Sequence, residues 1–167
     1  MMSLKAEIGM NAARHEQSGD TVNRDDFVTM SVGGQAFGIP VLRVRDVLGP
    51  QKITRVPLAP AEMAGSLNLR GRIVTAINMR RRLGLPDEGF TESAMAVVVE
   101  HEDEAFSLLV DEVGEVLSLP SSKRGASPAT LDPAWREISD GIYQLDSRLM
   151  IVLNIANVLN SIIAEAQ

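Results

Sequence analysis

Phe37-Gly-Ile-Pro-Val-Leu-Arg-Val-Arg-Asp-Val-Leu48 aligns without gaps on Phe106-Ser-Leu-Leu-Val-Asp-Glu-Val-Gly-Glu-Val-Leu117. Phe37, Val41, Val44, Val47 and Leu48 meet Phe106, Val110, Val113, Val116 and Leu117, and Asp46 meets the acidic Glu115. A second block follows in the same order. Gly65 to Gly84 aligns on Gly141 to Asn160, with Gly65, Leu69, Arg72, Asn78 and Leu83 facing Gly141, Leu145, Arg148, Asn154 and Leu159. Two aligned blocks in one order indicate an internal duplication. A repeat of about 70 residues is too long for a solenoid unit and implies two similar lobes.

Working outward, Phe27 to Val32, Gly33-Gly34 and Gln35 to Ile39 read as a hairpin with a glycine turn, and Met95 to Glu100 as the matching strand. Ile53 to Val56 reads as a short strand ended by Pro57, and Pro60 to Ala64 as one helical turn. Gly65 to Leu69 and Ile73 to Ile77 read as strands around Arg70-Gly71, a turn lacking the Asn-Gly or Asp-Gly favoured in tight hairpins. Alternation places Leu67, Leu69, Ile73 and Ile77 on one face and Asn68, Arg70 and Arg72 on the other. Asn78 and Asn154 stand where they can cap a following helix. Ser118 to Pro133 reads as a loop, and Ile155, Val158, Leu159, Ile162 and Ile163 trace a docked C-terminal helix over 155–165.

The expected architecture is therefore mainly β: two small barrels side by side, roughly 26–88 and 89–153, with short helices and residues 1–25 as a disordered tail. The stretch around Val41, Val44 and Val47 is too apolar for a half-exposed strand. It suits either core burial or a groove between the lobes that awaits an apolar partner.

Composition narrows the function. The 167 residues are 45% hydrophobic, enough for a core, but only 4% aromatic, and the net charge is −6. That balance argues against nucleic acid, which calls for a basic footprint and stacking platforms. The one basic group, Arg70, Arg72, Arg80, Arg81 and Arg82, suits a phosphate backbone, solvated turns or a protein surface. Cysteine is absent, and His15 and His101 are the only histidines, His101 standing in an acidic turn that reads as a solvated hairpin tip. No nucleophile–base, phosphate-loop or metal-ligand motif occurs, so no catalytic residue, metal or cofactor is expected. No apolar run approaches the roughly 18 residues of a membrane span. A soluble cytoplasmic protein without direct membrane insertion is expected.

Gly65-Ser-Leu-Asn-Leu-Arg-Gly71 resembles the G-V-x-N-L-R-G signature of CheW-type chemotaxis coupling proteins. Val110-Asp-Glu-Val-Gly-Glu-Val-Leu117 resembles that family's V-D-x-V-x-E-V-L segment. Phe37-Gly-Ile39 and Ile53-Thr-Arg-Val-Pro57 are similar to two of its strands, and the order holds over about residues 26 to 163. The resemblance implies two SH3-like five-stranded lobes whose end strands can be exchanged. It implies a non-enzymatic adaptor, recruited to membrane-associated receptor arrays, that joins the chemoreceptor cytoplasmic tip to the regulatory domain of the histidine kinase CheA. An adaptor of another chemosensory array, such as one for surface motility, is the alternative. Carried over, Val44, Gly65, Arg70, Val113 and Val116 would form the receptor-binding groove, and Ile53, Asp46 and Arg70 the kinase-binding surface. Asp46 stands where relatives often carry Glu, and would pair with Arg70 with a shorter reach. Ser66 and Asn78 replace a common Val and Asp.

Overall fold

The structure, a computed structural model, describes residues 23–166, so most of the expected N-terminal tail lies outside the described residues. Ten strands form two sheets: β1 (Arg24–Val32), β2 (Gln35–Pro40), β3 (Val44–Leu48), β4 (Met63–Leu69), β5 (Arg72–Asn78), β6 (Met95–His101), β7 (Glu104–Val110), β8 (Glu112–Pro120), β9 (Ser139–Gln144) and β10 (Leu149–Leu153). Short helices α1 (Met79–Arg82), α2 (Phe90–Ser93) and α3 (Pro133–Glu137) lie between strands, and α4 (Ile155–Ala166) closes the chain. The first sheet runs β8-β1-β2-β10-β9 and the second β3-β6-β7-β5-β4, each five-stranded and not closed into a complete barrel.

The sheets do not divide near residue 88. The second holds residues 44–110, and the first takes 24–40 together with 112–153. Each repeat starts with a hairpin, β1–β2 or β6–β7, and then sends its remaining three strands into the opposite sheet. A 3₁₀ turn at Val41–Arg43 carries the chain from β2 to β3, and Asp111 alone separates β7 from β8. Neither connection folds back as a hairpin would, so each hairpin builds its sheet with the last three strands of the other repeat.

The repeat persists in the register. Val44↔Val99 and Asp46↔Val98 flank a bulge in the second sheet, and Met30↔Val113 and Val28↔Val116 flank its counterpart in the first. The β4–β5 and β9–β10 hairpins also share a bulge, beside Gly65 and Gly141. Asn78 and Asn154 accept from the backbone N–H of Arg81 and Asn157, each at 3.0 Å, as N-caps of α1 and α4.

Successive residues of the central strands point to opposite faces, and both faces are covered. In β6, Val97 and Val99 enter a core shared by the two sheets, while Ala96 and Val98 enter a core private to the second. In β1, Val28 and Met30 enter the shared core, and Phe27 packs with Tyr143 and Met150 in the first sheet's private core. Double burial explains why these strands read as nearly unbroken apolar runs.

Some local expectations change. Ile53–Val56 is not a strand, since only Thr54 bridges to Ser66. Met63 and Ala64 belong to β4, because the bulge beside Gly65 extends the ladder past the expected helical turn. β1 starts at Arg24, whose guanidinium donates to Ser118 at the far end of β8, so strand continues to Pro120. Ile73 pairs across the hairpin with Asn68, sharing its outward face, and is 73% exposed. The two-residue turn shifts the side-chain parity between β4 and β5. His101 is buried, its Nε2 lying 3.1 Å from Asn160 Oδ1 on α4. The hairpin tip is thus covered by a helix far along the chain.

Candidate protein-interaction surfaces

The Arg70-Gly71 turn is a two-residue hairpin with both residues left-handed, at φ 53° and 84°. Such turns favour Asn-Gly, and a left-handed non-glycine residue costs about 1–2 kcal/mol. Asn68 offsets part of this by accepting from the Gly71 N–H at 2.9 Å. Arg70 donates through Nη2 to Asp46 Oδ2 at 3.3 Å, while Asp46 Oδ1 accepts from the Val47 N–H at 2.9 Å. The side chains are 70% and 8% exposed, so a nearly buried carboxylate anchors a guanidinium that remains open to solvent. This sequence-expected pair therefore forms, despite the shorter Asp46.

Gly65 does not line an open groove. It is buried at φ 148°, and a Cβ there would lie 2.2 Å from the carbonyl oxygen of Thr54 and 3.0 Å from Ile53. Its missing side chain lets the 53–54 segment lie on β4, so Gly65 and Ile53 come together. Ile53 borders a surface depression of about 790 Å³, along with Val56, Leu58, Arg81 and Glu88. Leu58 projects fully into solvent and Val56 is half exposed. Sequence reading places Val56 in a short strand and gives Leu58, between Pro57 and Pro60, no face.

Val44 is also not on an open wall. It is 0% exposed, within the shared core beside Val47, Val97 and Val99. The apolar inner faces expected to leave a furrow at this point pack against one another. The counterparts of Val44 and Val47 differ: Val113 and Val116 are only partly buried, packed on the margin of the same core. The structure thus gathers Asp46 with Arg70 and Ile53 with Gly65 on the second sheet, and sets Val113 and Val116 on β8 of the first.

The arginine run is engaged internally. Arg80 grips Asp111 with two bonds of 2.9 Å, Nε to Oδ1 and Nη2 to Oδ2, and lies 5.2 Å over the Phe90 ring. Arg81 pairs with Asp87 at 2.9 Å, and Arg82 donates to the carbonyls of Asn157 and Val158 on α4. Arg80 and Arg82 thereby staple α1 to the start of β8 and to the last helix. With most of the cluster committed in this way, the phosphate-binding reading loses its basic patch.

These pairs shift their acids. Burial pushes the Asp111 carboxyl up, but the Arg80 hydrogen bonds, the Gly33 N–H and the Arg80 charge together hold it below the usual carboxylate range. Its hydrogen bond to Asp111 keeps Arg80 above the ordinary arginine value. The Arg81 hydrogen bond leads in lowering Asp87, with Asn78 adding a further donor.

Among the described residues, no group of His, Asp and Glu is placed to hold a metal, and no helix is long and apolar enough to cross a membrane.

Residues 26–162 match the family model of the CheW-like domain. The chain is 28% identical over 144 residues to a chemotaxis protein CheW of Klebsiella aerogenes, covering 86% of each. It is 26% identical to the Bacillus subtilis protein of that name, covering 81% of this chain and 87% of the relative. Protein PilI of Pseudomonas aeruginosa is 25% identical over 72% of this chain and 67% of its own length. The crystal structure of a CheW scaffolding protein from Thermoanaerobacter tengcongensis superimposes with a TM-score of 0.71 at 25% identity, covering 79% of this chain and 90% of that one. A family match across both sheets, with the same fold in a solved relative, has one consequence: the chain belongs to the CheW-like family and is a chemotaxis scaffold.

Proposed function

We propose that the protein couples chemoreceptors to the histidine kinase CheA, with the second sheet facing the kinase's regulatory domain and β8 facing the receptor's cytoplasmic tip. The observation that carries this reading is the Arg70–Asp46 pair, an exposed guanidinium held on a buried carboxylate in a strained turn. A partly exposed pair contributes only about 0–1 kcal/mol to folding. An arginine held at that cost serves recognition better than stability, through the orientation and register of a partner. Beside it, Ile53 and the exposed Val56 and Leu58 offer apolar contacts of the kind found at interface centres. On the other sheet, Val113 and Val116 offer the half-exposed apolar strand against which helices can pack.

Co-sedimentation with a CheA regulatory domain and a receptor-tip fragment, added separately and together, tests the proposal. Each should bind alone, and both should bind at once. Competition between them would show that one surface serves both partners and would overturn the two-surface assignment. A second reading, an adaptor for another chemosensory array, draws support from the similarity to Protein PilI. Binding only to the kinase and receptors of such an array would favour it.

A further inference from the structure

We propose that Asp111 is a positioning residue for β8, fixing where Val113 and Val116 stand for a docking partner; this rests on the receptor-facing role given to β8 above. Asp111 is the single residue between β7 and β8, and its N–H and both carboxylate oxygens are engaged. Its N–H donates to Ser31 O at 3.0 Å, and its Oδ2 accepts from the Gly33 N–H at 2.8 Å. Arg80 takes both carboxylate oxygens and donates through Nη1 to Pro86 O at 2.8 Å. The start of β8 is thereby tied to the β1–β2 turn of its own sheet and to α1 of the other.

The need for such a tie lies in the strand itself. β3 is held by burial, with Val44, Val47 and Leu48 all inside cores. β8 has no fully buried residue along its length. A strand that keeps apolar side chains available to a partner cannot also be fixed by burying them, so polar anchoring at its origin takes over. The repeat supplies the comparison: Leu42 occupies the place of Asp111 at the other crossover, is 91% exposed, and cannot accept a hydrogen bond through its side chain. The anchored crossover is the one that leads into the half-exposed strand.

The test uses the full chain with Asp111→Asn, Arg80→Lys and, as control on the same strand, Glu115→Gln. Amide exchange and affinity for a chemoreceptor-tip fragment are read together. Asp111→Asn should keep its circular dichroism spectrum and the protection of β6 and β7. The amides of Gly33 and β8 should exchange about tenfold faster, and affinity should fall about tenfold, near 1.4 kcal/mol. Arg80→Lys should lie between wild type and Asp111→Asn, with Glu115→Gln close to wild type in exchange. Unchanged β8 protection in Asp111→Asn overturns the proposal, whether or not affinity falls. If Asp111→Asn fails to fold, Arg80→Lys decides by the same readouts. A wild type that ignores the receptor tip would defeat the docking reading, and the exchange data would still decide the positioning role.

Discussion

The two sheets share strand order, register, bulges and helix caps, yet β3 is closed and β8 is half open. Backbone features survive in both copies because each is over-determined. Slipping a strand by one residue would turn every side chain to the wrong face, and losing a bulge would shift the ladder beyond it. Surface features carry no such constraint. Position 46 became a buried acid gripping an exposed arginine, whereas its counterpart Glu115 stays in solvent. One crossover gained an acid with three hydrogen-bonding neighbours, and the other an exposed leucine. Duplicated strands thus fix the frame, and single side chains assign each lobe its task.

Paired substitutions can break that comparison. The largest difference is expected between Val44→Asp and Val113→Asp. The first puts an unpaired carboxylate into the shared core and should cost at least about 3–5 kcal/mol, enough to unfold the protein in a urea titration. The second lies at a partly buried place on the core's margin, so it should cost less, folding should survive and receptor-tip binding should be lost. Equal destabilisation would mean that β8 is as closed as β3.

Gly65→Ala and Gly141→Ala probe the bulges. At Gly65 the new methyl meets a backbone oxygen at 2.2 Å. At Gly141 it meets the flexible Arg124 side chain at 2.9 Å and a backbone oxygen at 3.0 Å. Both also impose an unfavourable positive φ, costing about 1–3 kcal/mol. Gly65→Ala should be the more damaging in thermal melts, with the 53–54 segment displaced.

Acid should weaken the anchored crossover. Asp111 and Asp87 have folded pKa values below their unfolded ones, so each contributes stability above the ordinary aspartate pKa of about 3.9. That contribution is lost as pH falls through the folded values. A urea series from pH 6 to about pH 2 should show wild type losing more stability than Asp111→Asn, whose side chain does not titrate. Parallel curves would remove Asp111 as a source of acid sensitivity.

The smallest effect on folding belongs to Arg70→Asn. Asparagine tolerates the left-handed turn, so strain relief should offset the lost pair and keep stability within about 1 kcal/mol. Co-sedimentation with the kinase domain should nevertheless weaken. Full binding by this variant would return Arg70 to the role of a solvated turn residue.

Much of this molecule was legible in the chain. Alternation and turn residues located the main hairpins, and the aligned blocks announced two lobes. Asn78 and Asn154 marked helix starts. Those signals are local or repeated, so periodicity and spacing reveal them. Other features rest on contacts distant in sequence. A period of two separates the faces of β3 and β8, but does not say what covers each, so Val44 and Val113 read alike and are buried differently. Arg80 meets Asp111, and His101 meets Asn160, only because the exchanged strands and the last helix bring them together. By itself the sequence determined the duplicated β frame and its caps, since those depend on residue type and spacing. Tertiary structure alone decided which apolar strand was sealed and which stayed available, because burial depends on what the rest of the chain lays across it.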